Sequence, residues 1–509
     1  MLLSTLLAGV DILEVAPSGF DLSTLDIAEV RDDSRAVKEG DLFVALRGHT
    51  VDGHRFLSAV NSANAAVVEE LVSRETFTGA QIRVSSSALS LARIAANRYG
   101  RPAESMKMIG ITGTNGKTTT TFLTESLIRA GGGEPGVLGT VAYRYKNVSR
   151  EAPFTTPTPL ELHRTLAEMR DAGCTHIAME CSSHALELGR LEGMCFAVAA
   201  FTNLTQDHLD FHGTMEAYAS AKKKLFHDHL IGTAAVLVDR EYGEEMAHAA
   251  VGKVLRISAQ NRPADISVAR AAHSIAGIDA TFKTPVGTIE IRSPLIGAFN
   301  LENLAVAVGI GCALELSSEQ ISRGLGSMKA VPGRLERVEN DRGFDVFVDY
   351  AHTPDALERV MAALRPLTRG RLLVVFGCGG DRDRTKRPIM GQVVARDADL
   401  AIVTSDNPRT EEPNSIVEMI AEGVRRESSP LLSESDLAVA VRGHVVIVDR
   451  KQAIAGAVSA ARPGDVLLIA GKGHEDYQII GKVKHPFDDR KEAAQSLEKL
   501  AKPRESLQS

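Results

Sequence analysis

The sequence predicts an α/β protein of three domains. Three observations point to this fold class: a length of 509 residues, short apolar runs that alternate with helical patterns, and one glycine-rich loop between a strand and a helix. At about 100–200 residues per domain, the length suggests about three domains. We expect a small α/β domain at residues 1–102, a central parallel-sheet domain with an antiparallel edge at residues 103–331, and a doubly wound, Rossmann-like domain at residues 332–509.

The composition excludes several classes of protein. Apolar residues make up 44% of the chain and charged residues 24%, and the formal net charge is −7. Nucleic acid is not an expected partner, because phosphate backbones demand clustered Lys and Arg. The five cysteines form no CxxC pair, so we expect neither a disulfide framework nor a zinc site. No apolar run approaches the roughly 18 residues of a membrane span, and we expect a cytoplasmic protein.

The first domain opens with an apolar stretch, MLLSTLLAGVDILEV. It lacks a basic segment and reaches Asp11 early, so we interpret it as an amphipathic helix and not as a signal peptide. Strand and helix signals further on predict two strands and one helix. They lie at residues 41–46, 65–69 and 89–99. Ahead of these elements, the spacing of Asp33-Ser34-Arg35 alone favours a solvated charged loop.

The central domain begins with a strand, a glycine loop and a helix in the segment KMIGITGTNGKTTTT at residues 107–121. Backbone N–H groups of such a loop and the following helix N-terminus form a nest for phosphate. Lys117 adds a positive charge and Thr118 a hydroxyl for Mg²⁺. The strict pattern GxxxxGK[ST] fails by one place, because Ile111 stands where the first glycine should be. The alternative is a plain strand-ending turn, but the context favours a mononucleotide-binding P-loop.

The rest of the central domain predicts parallel strands with helices between them, followed by an alternating stretch typical of antiparallel hairpins. The helices lie at residues 160–172 and 300–313, the strands at residues 176–181, 196–203 and 233–239, and the hairpins within residues 266–296.

Two side chains follow these strands and suggest a metal site. Glu180 ends one strand, and His208 comes after the next. If both strands flank the loop strand, the two side chains converge on the phosphates, where Mg²⁺ prefers oxygen ligands. The alternatives are an exposed strand-end carboxylate and a loop histidine bonded to backbone. Further on, three consecutive lysines at residues 222–224 are, by spacing alone, a solvated helix face.

The third domain predicts five more strands separated by helices, the pattern of a second doubly wound sheet. The strands lie at residues 344–349, 371–376, 400–405, 445–449 and 466–470. Ligands of such sheets bind at the carboxyl ends of strands. Four polar or glycine-rich motifs follow these ends, namely DYAH at residues 349–352, GCGGDR at 377–382, DNPR at 406–409 and GKGHE at 471–475.

Motifs in all three domains resemble the Mur ligase family. They are GITGTNGKTTT, MECSSH, FTNLTQDHLDFHG, YASAKKKLF, GAFNLENLAVA, VPGRLERV and DYAHTPDAL. Members of this family are ATP-dependent, amide-forming ligases that build the peptidoglycan peptide. The Asp33-Ser34-Arg35 element, DNPR and GKGHE are most similar to the members that add the third residue to UDP-N-acetylmuramoyl-L-alanyl-D-glutamate. Leu188 and Leu237 stand where relatives often carry Gln and Asn.

The resemblance implies roles for individual residues of this chain, with ATP and Mg²⁺ as cofactors, small molecules as the only partners and a monomer as the working state. The ATP site would comprise Gly113, Thr114, Asn115, Gly116, Lys117, Thr118, Thr119, Asn300, Asn303, Arg334, Asp349 and His352. The Mg²⁺ sites would use Thr118, Glu180, His208 and a carbamylated Lys222. The UDP-muramoyl-dipeptide would contact Ser34, Thr155, Thr156, Ser182 and Arg190. The incoming amino acid would contact Arg382, Asp406, Asn407, Pro408, Arg409, Gly471 and Glu475. The catalytic residues would be Lys117, His208 and Lys222.

The implied chemistry activates a carboxylate, which is a poor electrophile, as an acyl-phosphate. Two Mg²⁺ ions and Lys117 would neutralise the charge that develops as carboxylate and γ-phosphate meet. An amine then attacks the acyl-phosphate, and His208 is a candidate base for its proton. A carbamylated Lys222 would offer a carboxylate to a metal; an unmodified Lys222 that contacts phosphate directly is the competing idea.

The identity of the amine rests on two arginines. Meso-diaminopimelate carries a second ammonium and carboxylate at its far end, which Arg382 and Arg409 could hold bidentately while Asp406 and Glu475 take the ammonium. L-lysine, the alternative amine, would leave those arginines unmatched. They could instead form surface ion pairs with Asp381, Asp383 and Glu411. Two other functions stay open, a folylpolyglutamate-synthetase-like ligase and a nucleotide-dependent switch.

Overall fold

The computed structural model describes residues 1–48, 51–328 and 330–500. The chain divides into two compact units. The first comprises Met1–Arg270, Thr281–Glu290 and Glu302–Ser327, and the second comprises Ala271–Ala280, Ile291–Leu301 and the chain from Met328 onward. Among the described residues, every helix is too short or too polar to cross a bilayer.

A five-stranded sheet lies at the start of the first unit. Its strands are β1 (Ile12–Ala16), β2 (Val30–Arg31), β3 (Leu42–Val44), β4 (Ala65–Val68) and β5 (Ala80–Val84), and its helices are α1 (Leu3–Leu6) and α2 (Ser87–Arg98). The strand order is β1-β5-β4-β3-β2, with only β1 antiparallel to its neighbour. The Ser86 hydroxyl caps α2 by accepting from Leu89 N. The two predicted strands and the helix are confirmed.

The predicted N-terminal helix is wrong beyond its first turn. Only Leu3–Leu6 is helical, and Gly9 then adopts a left-handed φ of 75°. The next residues, Ile12–Ala16, form β1 and pair with β5. Glycine ends a helix readily because it has no Cβ to clash in this conformation. The branched side chains at Ile12 and Val15 suit a strand, so the apolar run divides between two elements.

The second sheet has eleven strands, most of which belong to the first unit, whereas the last three divide their residues between the two units. They are β6 (Lys107–Thr112), β7 (Pro135–Leu138), β8 (Tyr143–Tyr145), β9 (Val148–Arg150), β10 (His176–Glu180), β11 (Phe196–Phe201), β12 (Ile231–Leu237), β13 (Lys253–Ser258), β14 (Ile266–Ser274), β15 (Gly277–Thr284) and β16 (Gly287–Ser293). The order is β16-β15-β14-β13-β12-β11-β6-β10-β7-β8-β9. The accompanying helices are α3 (Lys117–Ala130), α4 (Pro159–Asp171), α5 (Ser183–Glu187), α6 (Leu209–His212), α7 (Met215–His227), α8 (Gly243–Ala249), α9 (Ala298–Ala313) and α10 (Ser318–Ser327).

Parallel pairing places β6 between β10 and β11. Glu180 lies opposite Ile111, and Phe201 lies opposite Thr112. The strands that precede Glu180 and His208 therefore both flank β6, which was the condition for bringing Glu180 toward the phosphate loop. The predicted hairpins are confirmed as β14 to β16, which neighbour one another in chain order at one edge. A further antiparallel hairpin, β8 and β9, closes the opposite edge and was not predicted.

The second unit contains the third sheet, which has helices on both faces. Its strands are β17 (Glu336–Val338), β18 (Asp345–Asp349), β19 (Leu372–Phe376), β20 (Leu400–Val403), β21 (Gly443–Val446) and β22 (Val466–Ala470), in the order β17-β18-β22-β19-β20-β21. Its helices are α11 (Pro354–Leu364), α12 (Lys386–Asp397), α13 (Pro413–Arg426), α14 (Arg450–Ala460) and α15 (Asp489–Lys499), and a hairpin comprises β23 (Tyr477–Ile480) and β24 (Val483–Pro486).

Two apolar clusters, one on each face, show that this sheet is doubly wound. Side chains of α11, α12 and α13 pack into one cluster, and those of α14 and α15 pack into the other. The strands β18, β22, β19, β20 and β21 are parallel. Their carboxyl ends therefore share one edge, and the predicted Rossmann-like arrangement is confirmed.

A buried ion pair joins α14 to α15. Arg450, at the start of α14, donates to both carboxylate oxygens of Asp489, at 2.8 and 2.7 Å, and to the carbonyl of Ala470. Both charged side chains are fully buried. The pair therefore holds α15 beside the carboxyl end of β22.

Replacing Arg450 with Met should lower the free energy of unfolding by roughly 3–5 kcal/mol, because Asp489 would stay buried without a counter-ion. Urea unfolding followed by circular dichroism measures the change. Arg426→Met, which breaks only an exposed pair with Glu422, should cost below about 1 kcal/mol. Arg450→Met combined with Asp489→Leu should recover most of the loss; a double variant as unstable as Arg450→Met would contradict this account.

Candidate active site

The phosphate loop between β6 and α3 requires glycine at two positions. Gly113 has a φ of 149°, and a Cβ there would overlap the Thr202 hydroxyl. Gly116 has a φ of 86°, and a Cβ there would overlap the Asn303 amide oxygen. Both are conformations that other residues rarely adopt. The absence of side chains lets β11 and α9 approach the loop backbone.

Hydrogen bonds from the end of β11 hold the loop. Thr114 N donates to the Asn203 carbonyl at 2.8 Å, and Asn115 N donates to the Asn203 side-chain oxygen at 3.0 Å. The Thr202 hydroxyl donates to Asn115 O at 2.6 Å. At the start of α3, Lys117 Nζ donates to the carbonyls of Gly113 and Thr114 at 2.9 and 2.8 Å.

The hydroxyl side chains that follow, Thr118 and Thr119, are buried in the first turn of α3. The loop, Lys117 and these threonines thus form the compact arrangement that the sequence predicts for binding phosphate.

Glu180 is a buried carboxylate at the end of β10, only 1% exposed. Thr140 N donates to its Oε1 at 2.9 Å, and the Thr140 hydroxyl donates to its Oε2 at 3.1 Å. No Lys, Arg or His in the described parts of the chain forms an ion pair with it. A buried charge without a partner is costly, so Glu180 suits a cation. Thr140 was not singled out from the sequence, because a lone threonine after a strand carries no distinctive signal.

Four of the residues predicted for the UDP-linked substrate lie together beside Glu180. The Thr156 hydroxyl donates to the Glu180 carbonyl at 2.7 Å and contacts the Ser182 hydroxyl at 3.2 Å. Arg190 donates to Thr156 O at 2.9 Å, and the Thr155 and Thr140 hydroxyls are 3.1 Å apart.

The fifth predicted substrate residue, Ser34, lies apart in a short 3₁₀ helix, Ser34–Ala36. Asp33 caps this helix by accepting from Arg35 N, and the Arg35 guanidinium holds the pKa of Asp33 at about 2. Among the described residues, no hydrogen bond or ion pair joins Ser34 to the other four.

His208 belongs to a group of aromatic side chains near the loop. It has a left-handed φ of 52° and precedes α6. Its ring centroid lies 4.9 Å from that of His184 and 6.1 Å from that of Tyr218. Burial lowers the pKa of His208, with Asp207 opposing the change. A neutral imidazole can accept a proton, which is compatible with the predicted role of a base.

Lys222 in α7 is the most unusual titratable group here. It is only 1% exposed, and its Nζ donates to Gly113 O at 2.8 Å and lies 4.5 Å from the centre of the Tyr218 ring. Burial, with repulsion from Lys117, lowers the pKa of Lys222 well below its usual value. The prediction of a solvated helix face is correct only for the two neighbouring lysines. Lys223 and Lys224 form surface ion pairs with Glu245 and Glu187.

In the second unit, the predicted nucleotide residues gather at the end of β18. Asp349 is buried and accepts from Leu335 N and Ala351 N at 2.7 and 2.8 Å. Burial raises the pKa of Asp349, and the nearby Arg334 opposes the rise. The Arg334 guanidinium lies 5.0 Å from the centre of the Tyr350 ring.

His352, Asn300 and Asn303 complete the predicted nucleotide set. His352 Nδ1 lies 2.8 Å from Tyr350 O, and burial lowers the pKa of His352. Asn300 and Asn303 lie one turn apart on α9. Asn300 belongs to the second unit and donates to Ile296 O at 2.8 Å, whereas Asn303 lies in the first unit beside Gly116.

Arg382 and Arg409 both lie beside Gly379. A Cβ at Gly379 would be 2.9 Å from Arg409 Nη1 and 3.8 Å from Arg382 Cγ. Arg409 donates to Gly380 O at 2.7 Å, and the one hydrogen bond of the Arg382 side chain to the described residues is to the Asp381 carbonyl at 3.5 Å. Neither forms an ion pair with any described carboxylate.

The acidic neighbours of these arginines are already engaged. Asp381 accepts from Thr410, Asp383 accepts from Thr385, and Glu411 pairs with Arg384 and Arg387. The alternative interpretation, in which Arg382 and Arg409 form surface ion pairs with these acids, is therefore wrong.

Two more predicted residues, Asp406 and Glu475, meet around a lysine that was not predicted. Lys472 is fully buried, 3.2 Å from Asp406 Oδ1 and 3.5 Å from Glu475 Oε2. Gly471 lies beside Asp406, and Pro408 follows Asn407 in the same loop. Lys472 could have been found from its position between two glycines directly after an apolar strand.

The first-unit residues fit a divalent cation bound with phosphate. The threonine hydroxyl of Thr118 and the carboxylate of Glu180 are the hard oxygen donors that Mg²⁺ prefers. No group of three or more His, Cys, Asp or Glu that could hold a metal occurs in the part of the chain that the structure describes. A metal ion here would therefore take its other ligands from phosphate and water.

Comparison with known proteins finds three family models along the chain. "Mur ligase family, catalytic domain" matches residues 26–99, "Mur ligase middle domain" residues 111–311, and "Mur ligase, glutamate ligase domain" residues 333–473. A curated protein of Geobacter metallireducens, named UDP-N-acetylmuramoyl-L-alanyl-D-glutamate–2,6-diaminopimelate ligase, is 45% identical over 94% of this chain and 95% of its own length. A protein of the same name from Gloeobacter violaceus is 46% identical over 95% of this chain and 97% of its own length.

Solved structures agree with this grouping. A structure described as UDP-N-acetylmuramoyl-L-alanyl-D-glutamate–2,6-diaminopimelate ligase superposes with a TM-score of 0.70 at 31% identity, over 98% of this chain and 99% of that chain. The MurF ligase from Thermotoga maritima in complex with ADP has a TM-score of 0.56 at 19% identity, over 92% of this chain and 98% of that chain. At that identity, the second similarity shows the fold alone.

Lys222→Met should stabilise the protein at pH 7 by on the order of 1 kcal/mol or more, because it removes a desolvated amine. The pKa of Lys222 is lower in the folded than in the unfolded chain. Above the pKa of the unfolded chain, near 10.5, Lys222 is neutral in both states and does not oppose folding. As the pH falls from there toward the lower pKa of the folded chain, the unfolded chain takes up a proton that the folded chain does not, so the wild type loses stability. Thermal unfolding between pH 6 and 10, in degassed buffer, should show a weaker pH dependence for the variant.

The matched control is Lys223→Met, which alters a surface pair and should change stability by less than about 0.5 kcal/mol at any of these pH values. A Lys222→Met variant with the same pH dependence as the wild type would contradict the lowered pKa.

Proposed function

The chain belongs to the Mur ligase family, and from this premise we propose that it is the ATP-dependent ligase that adds meso-diaminopimelate to UDP-N-acetylmuramoyl-L-alanyl-D-glutamate. The amide would form at the D-glutamate side-chain carboxylate, through an acyl-phosphate, with release of ADP. The names and high identity of its full-length relatives support this reaction. The pair Arg382 and Arg409, which lacks a carboxylate partner among the described residues, is the observation that carries the choice of amine.

The amino-acid half-site has the charges that diaminopimelate needs. Two guanidiniums next to each other can hold a carboxylate by paired hydrogen bonds. Glu475 follows the carboxyl end of β22, at the same edge of the sheet, and its carboxylate can accept a hydrogen bond from an ammonium group. L-lysine has no distal carboxylate and would leave Arg382 and Arg409 facing solvent, which a selective site penalises.

The phosphate half-site would bind ATP and stabilise transfer of its γ-phosphate. The loop from Gly113 to Gly116 would cradle the phosphates, and Lys117 would exchange its bonds to the loop carbonyls for phosphate oxygens. Mg²⁺, when bound by Thr118 and Glu180, would supply positive charge to the phosphates and the reacting carboxylate. The neutral imidazole of His208 would accept the proton that the attacking amine must lose.

We assign the substrates to three domains as the sequence predicts them. Residues 1–102, with Ser34, would hold the UDP-sugar, and residues 103–331 would hold ATP and the reacting carboxylate. Residues 332–509 would hold the incoming amino acid, with Arg334, Asp349 and His352 directed to the nucleotide. We propose a cytoplasmic monomer, as the family resemblance implies; light scattering of the purified protein would test the oligomeric state.

Product formation tests the proposal. With ATP and the UDP-muramoyl-dipeptide, diaminopimelate should give ADP and the tripeptide product, with a kcat/KM about 100-fold above that for L-lysine, since lysine leaves two guanidiniums unmatched. Product with lysine and none with diaminopimelate would refute the choice of amine. ATP hydrolysis that is indifferent to any amine would refute the ligase and favour a nucleotide switch.

Arg409→Met is the matched variant for this assay. It should raise the KM for diaminopimelate by roughly 10-fold to 100-fold and leave the KM for ATP near the wild-type value. Arg425→Met, an exposed arginine on α13, should change neither constant.

We further propose that Lys222 acts as a carbamate. Carbon dioxide reacts with neutral amines, and the lowered pKa of Lys222 increases that fraction. With ¹³C-bicarbonate, the wild type should show a labelled carbamate signal by NMR that Lys222→Ala lacks and Lys224→Ala retains. Lys222→Ala should lose at least about 100-fold in activity and recover part of it with added acetate, which supplies a carboxylate. An active wild type without label would favour an unmodified Lys222.

A further inference from the structure

A cluster of four polar side chains, which we call the Lys472 cluster, lies beyond the carboxyl ends of β20 and β22. Its members are Lys472, Asp406, Asn407 and Glu475. Lys472 is completely buried, and its Nζ donates to the Asn407 side-chain oxygen at 2.9 Å and to the Tyr477 carbonyl at 2.8 Å. A buried lysine is seldom tolerated unless its charge is compensated.

The hydrogen bonds of the cluster define how the Asn407 amide is oriented. Its Oδ1 accepts from Lys472 Nζ and also from Ile479 N, each at 2.9 Å. Both donors must face an oxygen, so the amide nitrogen points the other way. There, Asn407 Nδ2 donates to Glu475 Oε2 at 2.9 Å. Lys472 and Ile479 N therefore orient the amide that donates to Glu475, and Lys472 also lies 3.5 Å from Glu475 Oε2.

This arrangement holds one carboxylate oxygen of Glu475 and leaves the other available. Oε2 receives Asn407 and lies 3.5 Å from Lys472. Oε1 accepts no hydrogen bond from the described residues. The side chain is 17% exposed, so Oε1 can receive a donor from a ligand.

Lys472 also balances two acids at once. Asp406 and Glu475 both lie within 4 Å of its ammonium, and two buried carboxylates without a cation would force one of them to take up a proton. Burial would raise the pKa of Asp406, but Lys472 and Arg450 hold it below its usual value. Burial raises the pKa of Glu475, and Lys472 opposes the rise.

We propose that Lys472 is a positioning residue for the amino-acid substrate, which fixes Glu475 through Asn407 so that one ionised oxygen receives the substrate's ammonium group. The inference rests on the proposed function, because it concerns the site for the incoming amino acid. Lys472 does not contact the substrate in this account. It acts on KM for the amino acid by orienting and charging Glu475.

The test is steady-state kinetics of Lys472→Met, which keeps the length of the side chain and removes its donors and charge. The KM for diaminopimelate should rise about 10-fold or more, the loss of one charge-assisted hydrogen bond. The KM values for ATP and for the UDP-linked substrate should change less than about twofold. Lys482→Met, an exposed lysine in the turn between β23 and β24, is the matched control and should leave all three constants unchanged.

A double-mutant cycle with Glu475→Gln separates positioning from general damage. If Lys472 acts through Glu475, Lys472→Met should have little further effect on the KM for diaminopimelate in the Glu475→Gln background. Equal effects in both backgrounds would overturn the proposal. Equal rises of all three KM values, or an unchanged KM for diaminopimelate, would overturn it as well.

Lys472→Leu serves if Lys472→Met fails to fold, because leucine is smaller and likewise has neither a donor toward Asn407 nor a charge. The proposal then expects a raised KM for diaminopimelate with a circular dichroism spectrum like that of the wild type; an unchanged KM would overturn it. Wild-type protein is assayed in parallel. If the wild type forms no product with diaminopimelate, the proposed function falls and this inference falls with it. If only the variants contradict expectation, the proposed function stands.

Discussion

Two lysine side chains converge on one backbone oxygen, the carbonyl of Gly113, and the first half of the site depends on this interaction. Lys117 reaches it from the following helix and Lys222 from α7, at 2.9 and 2.8 Å. Gly113 has no side chain, and a Cβ there would overlap the Thr202 hydroxyl. Burial lowers the pKa of Lys222, and repulsion from the nearby Lys117 lowers it further. Backbone geometry thus determines the chemistry of a side chain more than one hundred residues away in sequence.

The fold was largely predictable because its parallel strands are short, mainly apolar runs, such as those within 176–181 and 400–405. Such runs can be recognised without knowledge of their partner strands. The failures occurred where a local signal was ambiguous. The N-terminal apolar run contains residues for both a helix and a strand, and only pairing with β5 decides between them. Each strand of the β8–β9 hairpin has only three residues, which is too short for an alternating pattern of apolar and polar residues to be recognised.

The candidate site was predictable where residues occur in motifs and not where they act through space. The spacing of the three lysines predicts that Lys222 is exposed to solvent like its two neighbours, and only the family resemblance distinguishes it. Its burial against Tyr218 and Gly113 depends on tertiary packing, which the spacing does not reveal. Thr140 lies forty positions from the Glu180 that it holds. The DNPR and GKGHE motifs were found separately, but that Asn407 and Glu475 meet around Lys472 follows from strand order, which the sequence does not state.

The arginine pair beside Gly379 has a consequence for the free protein. Arg382 and Arg409 have no carboxylate partner within the described chain, so their charge must be balanced by mobile anions from solution. A substrate carboxylate that docks there displaces those anions into bulk solvent, and the entropy of their release contributes to binding. The affinity of this half-site is therefore tied to the ionic composition of the surrounding solution, and small polyvalent anions compete for it without resembling the substrate in shape.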